Sequence, residues 1–306
     1  QKREQREAHL SLNASKEGSR RLTGPLFGSI GNLETVQAAI DHPHWNTPLE
    51  GTNRGRGVAS GYWFNATGPA SATASVNSDG TVSLIEGSPD IGGSRAAVSM
   101  QLAEVLGIAA EDVRPVVGDT DSVGYTSLTG GSSVAFKTGW ACYEAAMDIK
   151  QQFVERAARI WDVDSSLVEY SDGTLSHISD PELKITFKEM AARLNSTGGP
   201  ITGRGNVSPT GVGGSFATHI VDVEVDPETG KIDILRYTAV QDVGKAVHPS
   251  YVEGQIQGGS AQGIGWALNE EYIFDRNGSM ENPTFLDYRM PTSLDLPMID
   301  LSLIHI

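Results

Sequence analysis

The sequence predicts an α+β fold with two lobes, in which mixed sheets that contain hairpins pack against long helices. Turn signals at residues 77–80 and 226–230 lie between alternating apolar segments and indicate β-hairpins. Apolar residues recur at helical spacing over residues 133–161 and predict a long helix. Because hairpins and long helices are interleaved along the chain, the pattern favours α+β over a doubly wound parallel sheet.

Local signals justify the elements in chain order. A helix over residues 33–40 ends at His42-Pro43, because proline cannot continue a helix. A strand over 56–63 is followed by a hairpin of 70–76 and 81–86, and Gly107 ends a helix over 95–106. The remaining expected elements are a strand at 111–117, a helix at 133–161, a strand at 174–177, a helix at 187–194, a hairpin of 219–225 and 231–240, a helix at 250–268 and a third hairpin around 275–278.

The expected organisation has four parts. Residues 1–50 form an N-terminal helical and loop segment, 51–200 a first lobe, and 201–300 a second lobe, with a seam in the Gly- and Pro-rich stretch 195–203. Residues 301–306 resemble a translated cloning adaptor, so we expect a non-native tail; the alternative is a genuine apolar terminal strand. The chain opens on Gln1 within a charged helical stretch, and we expect it to be part of a longer protein.

Composition excludes several classes of function. The formal net charge is −15, so binding to nucleic acid or to an anionic membrane would oppose the field of the whole protein. A single cysteine, Cys142, allows no internal disulfide and no Cys/His zinc cluster, and its helical context predicts a buried, inert thiol. No apolar run reaches the ~20 residues that span a bilayer. We therefore expect a soluble, cytoplasmic protein without a metal site built from its own side chains.

Clusters of Gly and Ser precede apolar helical segments at three places. They are Gly92-Gly93-Ser94, Gly130-Gly131-Ser132-Ser133, and the segment 254–260. A helix N-terminus presents unpaired amides and partial positive charge, and glycine allows an anion to approach the main chain. The sequence has neither a P-loop nor a dinucleotide-binding Gly-x-Gly-x-x-Gly fingerprint. We therefore predict that the three segments meet at one large phosphorylated cofactor.

Six motifs occur in the order and spacing of a known family. They are Gly87-Ser88-Pro89-Asp90-Ile91-Gly92-Gly93-Ser94-Arg95, Thr129-Gly130-Gly131-Ser132-Ser133, Tyr143-Glu144-Ala145, Val225-Asp226-Pro227-Glu228-Thr229-Gly230, Asp242-Val243-Gly244 and Gly254-Gln255-Ile256-Gln257-Gly258-Gly259-Ser260-Ala261-Gln262-Gly263-Ile264-Gly265. Over about residues 20–300 the chain resembles the molybdopterin-binding large subunit of the xanthine dehydrogenase/aldehyde oxidase family. The resemblance implies the fold of that family's second molybdopterin-binding domain.

The resemblance also implies cofactor-binding residues. Gly93 stands where the family has a glutamine, so the main-chain amides of Gly92, Gly93 and Ser94 are expected to bind the pterin instead. Gly131, Ser132 and Ser133 correspond to a loop that binds the pterin and its phosphate. Gln262 matches a glutamine that hydrogen-bonds the cofactor, since a carboxamide offers a donor and an acceptor.

Substrate contacts and partners follow from the same resemblance. Tyr62 and Phe64, beside Trp63, lie near an aromatic residue that stacks on substrate; alternate packing of a β-strand is the other interpretation. The implied cofactor is molybdopterin with molybdenum, in its cytosine dinucleotide form, with iron–sulfur and FAD centres on partner subunits or domains. The implied reaction is hydroxylation of an aldehyde or N-heterocycle with water-derived oxygen.

No catalytic residue is assigned within this chain. The family glutamate that acts as base is expected beyond Asp300, in a Gly-x-Gly-Glu motif, and the chain alone is expected to be inactive. Glu270 and Glu271 are the alternative bases. A non-catalytic α+β binding or scaffold protein that reuses the fold remains the alternative function.

Overall fold

The structure is a computed structural model that describes residues 2–210 and 213–306. Its helices are α1 (Lys2–Asn13), α2 (Asn32–Asp41), α3 (Pro43–Asn46), α4 (Ser94–Leu106), α5 (Thr120–Val123), α6 (Val134–Trp161), α7 (Phe187–Arg193) and α8 (Pro249–Leu268). Its strands are β1 (Arg54–Phe64), β2 (Ala70–Val76), β3 (Val82–Glu86), β4 (Val113–Val117), β5 (Val168–Ser171), β6 (Thr174–His177), β7 (Lys184–Thr186), β8 (Thr202–Val207), β9 (Gly214–Val225), β10 (Ile232–Asp242) and β11 (Ile299–Ile304). The α+β prediction is confirmed.

The chain divides into two compact units. The continuous unit is Phe64–Val212, and the discontinuous unit joins Gln1–Trp63 to Gly213–Ile306. These boundaries differ from the expected ones at residues 50 and 200, because β1 pairs with β9 and so belongs with the C-terminal part of the chain.

The continuous unit is built on a sheet with strand order β4-β3-β2-β8. The predicted first hairpin is confirmed, since β2 and β3 are antiparallel with Val76 opposite Val82. Helices α4 and α6 pack against this sheet, and a second sheet, β5-β6-β7, lies beside α6. The core positions predicted for α6 are all buried: Ala141, Ala145, Ile149, Phe153 and Ala157.

Two glycines of β8 allow α6 to lie close to the sheet. A Cβ atom on Gly203 would overlap the carbonyl oxygen of Ala145, and one on Gly205 would overlap that of Ala141. Ala141 and Ala145 are one helical turn apart, and the glycines are two residues apart, so both pairs share the interface. The main chains of helix and strand therefore meet without intervening side chains.

The discontinuous unit has a sheet with strand order β1-β9-β10-β11. The hairpin of β9 and β10 is confirmed, with Val225 opposite Ile232. Alternate residues of β10 face different helices: Val240 packs with Ala39 of α2, whereas Ala239 packs with Ile264 of α8. The sheet is therefore covered on both faces.

A buried polar network crosses the α2 side of this sheet. Asp222 accepts hydrogen bonds from Nε and Nη2 of Arg56 at 2.6 and 2.7 Å. Nε2 of His44 lies 3.1 Å from Oδ2 of Asp222, and its Nδ1 lies 2.8 Å from Oγ1 of Thr238. His44 has no exposed surface. The network links α3, β1, β9 and β10.

Three local expectations differ from the structure. The third hairpin is reduced to a single bridge between Phe274 and Met280, around a turn at Asp275. Strand β8 begins at Thr202, inside the expected loop 195–203, and continues to Val207, where no element was expected. Residues 301–304 extend β11, which pairs in parallel with β10, as the alternative of an apolar terminal strand describes. The origin of that segment stays a prediction.

Candidate functional site

The loop before α4 contains two consecutive left-handed residues. Gly92 and Gly93 have φ angles of +64° and +78°, and the helix begins at Ser94. The amide of Ser94 donates to the carbonyl of Ile91, and that of Arg95 donates to the Asp90 carboxylate. Within the described residues, the amides of Gly92 and Gly93 have no such partner. Of the three amides predicted to bind a ligand, two are therefore available.

The loop before α6 repeats this backbone. Gly131 and Ser132 have φ angles of +63° and +59°, and Ser133 follows as the N-cap without a capping hydrogen bond from its side chain. Ser132 is not a glycine, so its left-handed conformation carries strain of a kind that concentrates at ligand sites. Successive amides in such a backbone form a concave anion-binding surface.

Two hydroxyl groups in this loop have no partner among the described residues. Oγ of Ser133 is buried, and the whole residue is only 2% exposed. Oγ1 of Thr129 is also buried and unpaired. An unsatisfied buried hydroxyl is costly, because it has lost its bonds to water without replacement. A phosphorylated or pterin ligand in this loop would supply the missing acceptor or donor, so the residues present fit such a group.

The two helices that follow these loops, α4 and α6, pack against each other within the continuous unit. Oγ of Ser88 lies 2.7 Å from Oγ1 of Thr138, and Gln101 donates to the carbonyl of Ala135 at 3.0 Å. A Cβ on Gly87 would overlap the side chain of Thr126. These contacts join residues that flank the two loops, and the convergence of the loops themselves stays a prediction.

The third Gly/Ser segment has a different setting from the one expected. Residues 254–260 lie inside α8, which begins at Pro249, so they are not a helix N-terminus and their amides belong to the helix. Proline suits the first helical position, and this start agrees within one residue with the helix expected over 250–268. Gln262 is on the exposed surface of α8, and the glycines at 254, 258, 259 and 263 would each have open space around an added Cβ. Its convergence with the other two segments stays a prediction.

The predicted substrate residues fall in different units. Phe64 belongs to the continuous unit, where its Cε2 lies 3.6 Å from the Cβ position of Gly131. The amide of Ala66 also donates to the carbonyl of Gly131 at 2.8 Å. Tyr62 belongs to the discontinuous unit and packs against Phe216, with ring centroids 4.8 Å apart. The structure thus places Phe64 beside the second cofactor loop.

Glu270, Glu86 and Cys142 each lie in contact with, or buried by, other residues of the fold. Glu270 accepts a hydrogen bond from the hydroxyl of Tyr288 at 2.8 Å, and this bond raises the pKa of Tyr288. Burial raises the pKa of Glu86, whose carboxylate accepts from the amide of Ser88. Cys142 is fully buried, which raises the pKa of its thiol and confirms the predicted core position.

Sequence reasoning missed Lys137, a buried residue of α6. Its Nζ donates to three oxygen atoms of the segment that leads into the second loop, at 2.7 to 2.8 Å. The signal was present, because Lys137 precedes Ala141 by four residues and so lies on the apolar stripe of the predicted helix. Thr129 could not be singled out, since its unpaired state depends on the folded loop.

The part of the chain that the structure describes contains no group of three or more His, Cys, Asp or Glu residues arranged to hold a metal ion. Nor does any helix in that part have the length and apolar character needed to cross a membrane.

Most of the chain matches known proteins. Residues 33–297 match the family model described as molybdopterin cofactor-binding domain. The xanthine dehydrogenase molybdenum-binding subunit of Escherichia coli O157:H7 is 30% identical over 314 residues, covering 96% of this chain and 42% of that protein. The aldehyde oxidoreductase molybdenum-binding subunit PaoC of Escherichia coli K12 is 29% identical over 252 residues, covering 79% of this chain and 32% of that protein.

The fold is shared with solved structures. Quinoline 2-oxidoreductase from Pseudomonas putida 86 has a TM-score of 0.80 at 23% identity, and the match covers 94% of this chain and 40% of that chain. The chain spans about two fifths of the length of the xanthine dehydrogenase subunit that it matches.

Proposed function

The chain belongs to the molybdopterin cofactor-binding domain family, and on this premise we propose that it forms part of the cofactor pocket of a molybdenum hydroxylase. The observation that carries the proposal is the repeated backbone before α4 and α6. Each helix is preceded by two consecutive left-handed residues, and the second loop also has the unpaired hydroxyls of Ser133 and Thr129. A phosphorylated pterin satisfies both kinds of group.

We assign the following roles within this pocket. The amides of Gly92 and Gly93 would bind the pterin, and Gly131, Ser132 and Ser133 would bind its phosphate. Gln262 would add side-chain hydrogen bonds from α8. When bound, the cofactor supplies the molybdenum centre that transfers water-derived oxygen to a carbon atom.

We propose an aldehyde or an N-heterocycle as substrate. The aldehyde oxidoreductase and xanthine dehydrogenase relatives support these two classes. Phe64, beside Gly131, would present its ring to a flat substrate, and Tyr62 is the second candidate. We propose that the general base is the family glutamate expected beyond Asp300; Glu270, which accepts a hydrogen bond from Tyr288, and Glu271 stay the alternatives.

The proposal extends to the assembled enzyme. We propose the cytosine dinucleotide form of molybdopterin, and partner subunits or domains that carry iron–sulfur and FAD centres to remove electrons. We also propose that the enzyme works in the cytoplasm.

Replacement of Ser133 tests the cofactor assignment. In the full-length subunit, Ser133→Ala should lower pterin content about three- to tenfold, because one hydrogen bond of about 1 kcal/mol is lost. In the cofactor-free subunit, the same change should leave the free energy of unfolding unchanged or raised, since the hydroxyl has no partner there. Pterin can be quantified by fluorescence after oxidation, and unfolding by urea titration.

Ser99→Ala is the matched control, because Ser99 is buried and its hydroxyl donates to the carbonyl of Arg95. This variant should lose stability and keep its pterin. A Ser133→Ala subunit that retains full pterin content while losing stability would contradict the cofactor role and favour the non-catalytic alternative.

A further inference from the structure

Lys137 holds the segment that leads into the second cofactor loop. Its ammonium group donates to the carbonyl oxygen of Ser127 at 2.8 Å, to Oγ of Ser127 at 2.7 Å, and to the carbonyl oxygen of Leu128 at 2.8 Å. These bonds use all three N–H donors of a lysine. The residue has no exposed surface.

The position is unfavourable for a cation in the absence of a ligand. Lys137 is in the first turns of α6, where the helix dipole is positive and disfavours a positive charge. Burial lowers the pKa of its ammonium group, because the charged form has lost its hydration. Within the described ranges, no carboxylate forms an ion pair with it.

The same loop shows a second sign of a ligand. Thr129 directly follows Ser127 and Leu128, the residues that accept hydrogen bonds from Lys137, and Ser133 lies four residues later. Thr129 and Ser133 both have a buried hydroxyl without a partner among the described residues. The amide of Lys137 donates to the carbonyl of Ser133 at 2.8 Å, so one residue is bonded to both ends of the loop.

We propose that Lys137 is a positioning residue for anion binding: its ammonium group fixes residues 127–128, so that the donors of Thr129 to Ser133 are presented to the phosphate of the cofactor. The inference rests on the proposed function, and it adds a residue on which that function depends. The positive charge of Lys137 would also offset the negative charge of a bound phosphate.

Arg156 provides a matched control on the same helix. It is also buried, and its Nη1 donates to three oxygen atoms of another loop, those of Leu194, Thr197 and Gly199, at 3.1 to 3.2 Å. Arg156→Met therefore removes a buried cation and its hydrogen bonds to a loop, and none of these bonds involves residues 127–133. A loss of stability alone can be told apart from a loss of ligand binding.

The test compares Lys137→Met and Arg156→Met in the full-length subunit. We would measure pterin per subunit, the affinity of the cofactor-free subunit for inorganic pyrophosphate, and the midpoint of unfolding. Lys137→Met should reduce pterin content and pyrophosphate affinity at least about tenfold, the equivalent of one strong hydrogen-bonding group. Arg156→Met should lower the midpoint of unfolding and change both ligand measures less than about twofold.

Ser127→Ala keeps the proposal testable if Lys137→Met does not fold. It removes one of the three acceptors, and should weaken pyrophosphate binding about threefold. Unchanged binding in Ser127→Ala, full pterin in Lys137→Met, or equal losses in Lys137→Met and Arg156→Met would each overturn the positioning role. A wild-type subunit without pterin would instead overturn the proposed function itself.

Discussion

Gln262 is one of the exposed residues of the predicted site. Its side chain is on the exposed surface of α8, and within the described residues it makes no hydrogen bond that a ligand would have to displace. The glycine at 263 has open space on its side of the helix. A carboxamide in this setting can bind a pterin edge without cost to the fold.

We expect Gln262→Ala to reduce cofactor retention in the full-length subunit. The loss of one or two hydrogen bonds to a buried group costs roughly 1 to 3 kcal/mol, so molybdenum and pterin content should fall together. Metal analysis and pterin fluorescence measure both. Glu253→Ala is the control, because Glu253 is exposed on α8 outside the segment 254–260, and residues nine positions apart on a helix point about 180° apart. Unchanged metal and pterin in Gln262→Ala would make Gln262 a structural residue.

At this scale the sequence predicted glycine-containing loops before α4 and α6, but not the detailed conformation of those loops. The glycines at 92, 93 and 131 were recognisable, because only glycine enters the left-handed region without strain. The left-handed Ser132 was not, since serine gives no such signal. Nor could the sequence show that Ser133 lacks a partner, because pairing depends on what the fold brings nearby.

Among the elements, the contact of β8 with α6 depends on the absence of side chains. Gly203 and Gly205 face the carbonyl oxygens of Ala145 and Ala141, and an added methyl group would overlap them. The loop of residues 130–133 leads directly into the start of this helix, with Ser133 as its N-cap. Its distance from the sheet therefore affects the position of the loop.

We expect Gly205→Ala to destabilise the continuous unit by about 1 to 3 kcal/mol, the usual cost of overpacking a close contact. Urea unfolding followed by circular dichroism measures this change. Gly57→Ala in β1 is the control, because a Cβ there meets no atom within 4 Å. An equal effect of the two substitutions would show that the cost comes from the chain's flexibility rather than from the α6 contact.

The same glycines explain why β8 was missed. Gly203 and Gly205 resemble loop residues in a sequence, yet here they serve a close approach of two backbones. The prediction of a third hairpin was wrong because a turn signal alone does not make two strands. The turn at Asp275 forms, but only Phe274 and Met280 form a bridge across it. Elements bounded by strong signals, such as α4 and β2, were predicted within one residue.

For the molecule as a whole, the discontinuous unit depends on pairing between distant parts of the chain. Strand β1 lies next to β9, although about 150 residues separate them, and no local pattern specifies such a partner. The buried network of Arg56, Asp222 and His44 reinforces this pairing. The unit is therefore sensitive to the charges of these three groups.

We expect acid to destabilise this unit in two stages. Burial lowers the pKa of His44, against the opposing effect of Asp222. Burial alone would raise the pKa of Asp222, but the hydrogen bonds of Arg56 and the charge of His44 lower it. Because both pKa values are depressed by folding, the unfolded chain takes up protons first: stability falls as the pH drops below 6.5 for His44, and again below 3.8 for Asp222.

Urea unfolding as a function of pH measures both stages. His44→Gln should reduce the slope of the stage that begins at 6.5 without abolishing it, because burial also lowers the pKa of His42 and of His219; His9→Gln, which alters an exposed histidine of α1, is the control. The idea fails if His44→Gln keeps the wild-type slope in that range.

The clamp of Lys137 on residues 127–128 also bears on how quickly the site can be filled. A loop that is ordered before its ligand arrives has already lost its conformational freedom during folding, so capture does not wait for a rare backbone state. The occupied fraction of a population of such molecules then depends on the supply of the anion and on its dissociation, rather than on an isomerisation of the protein.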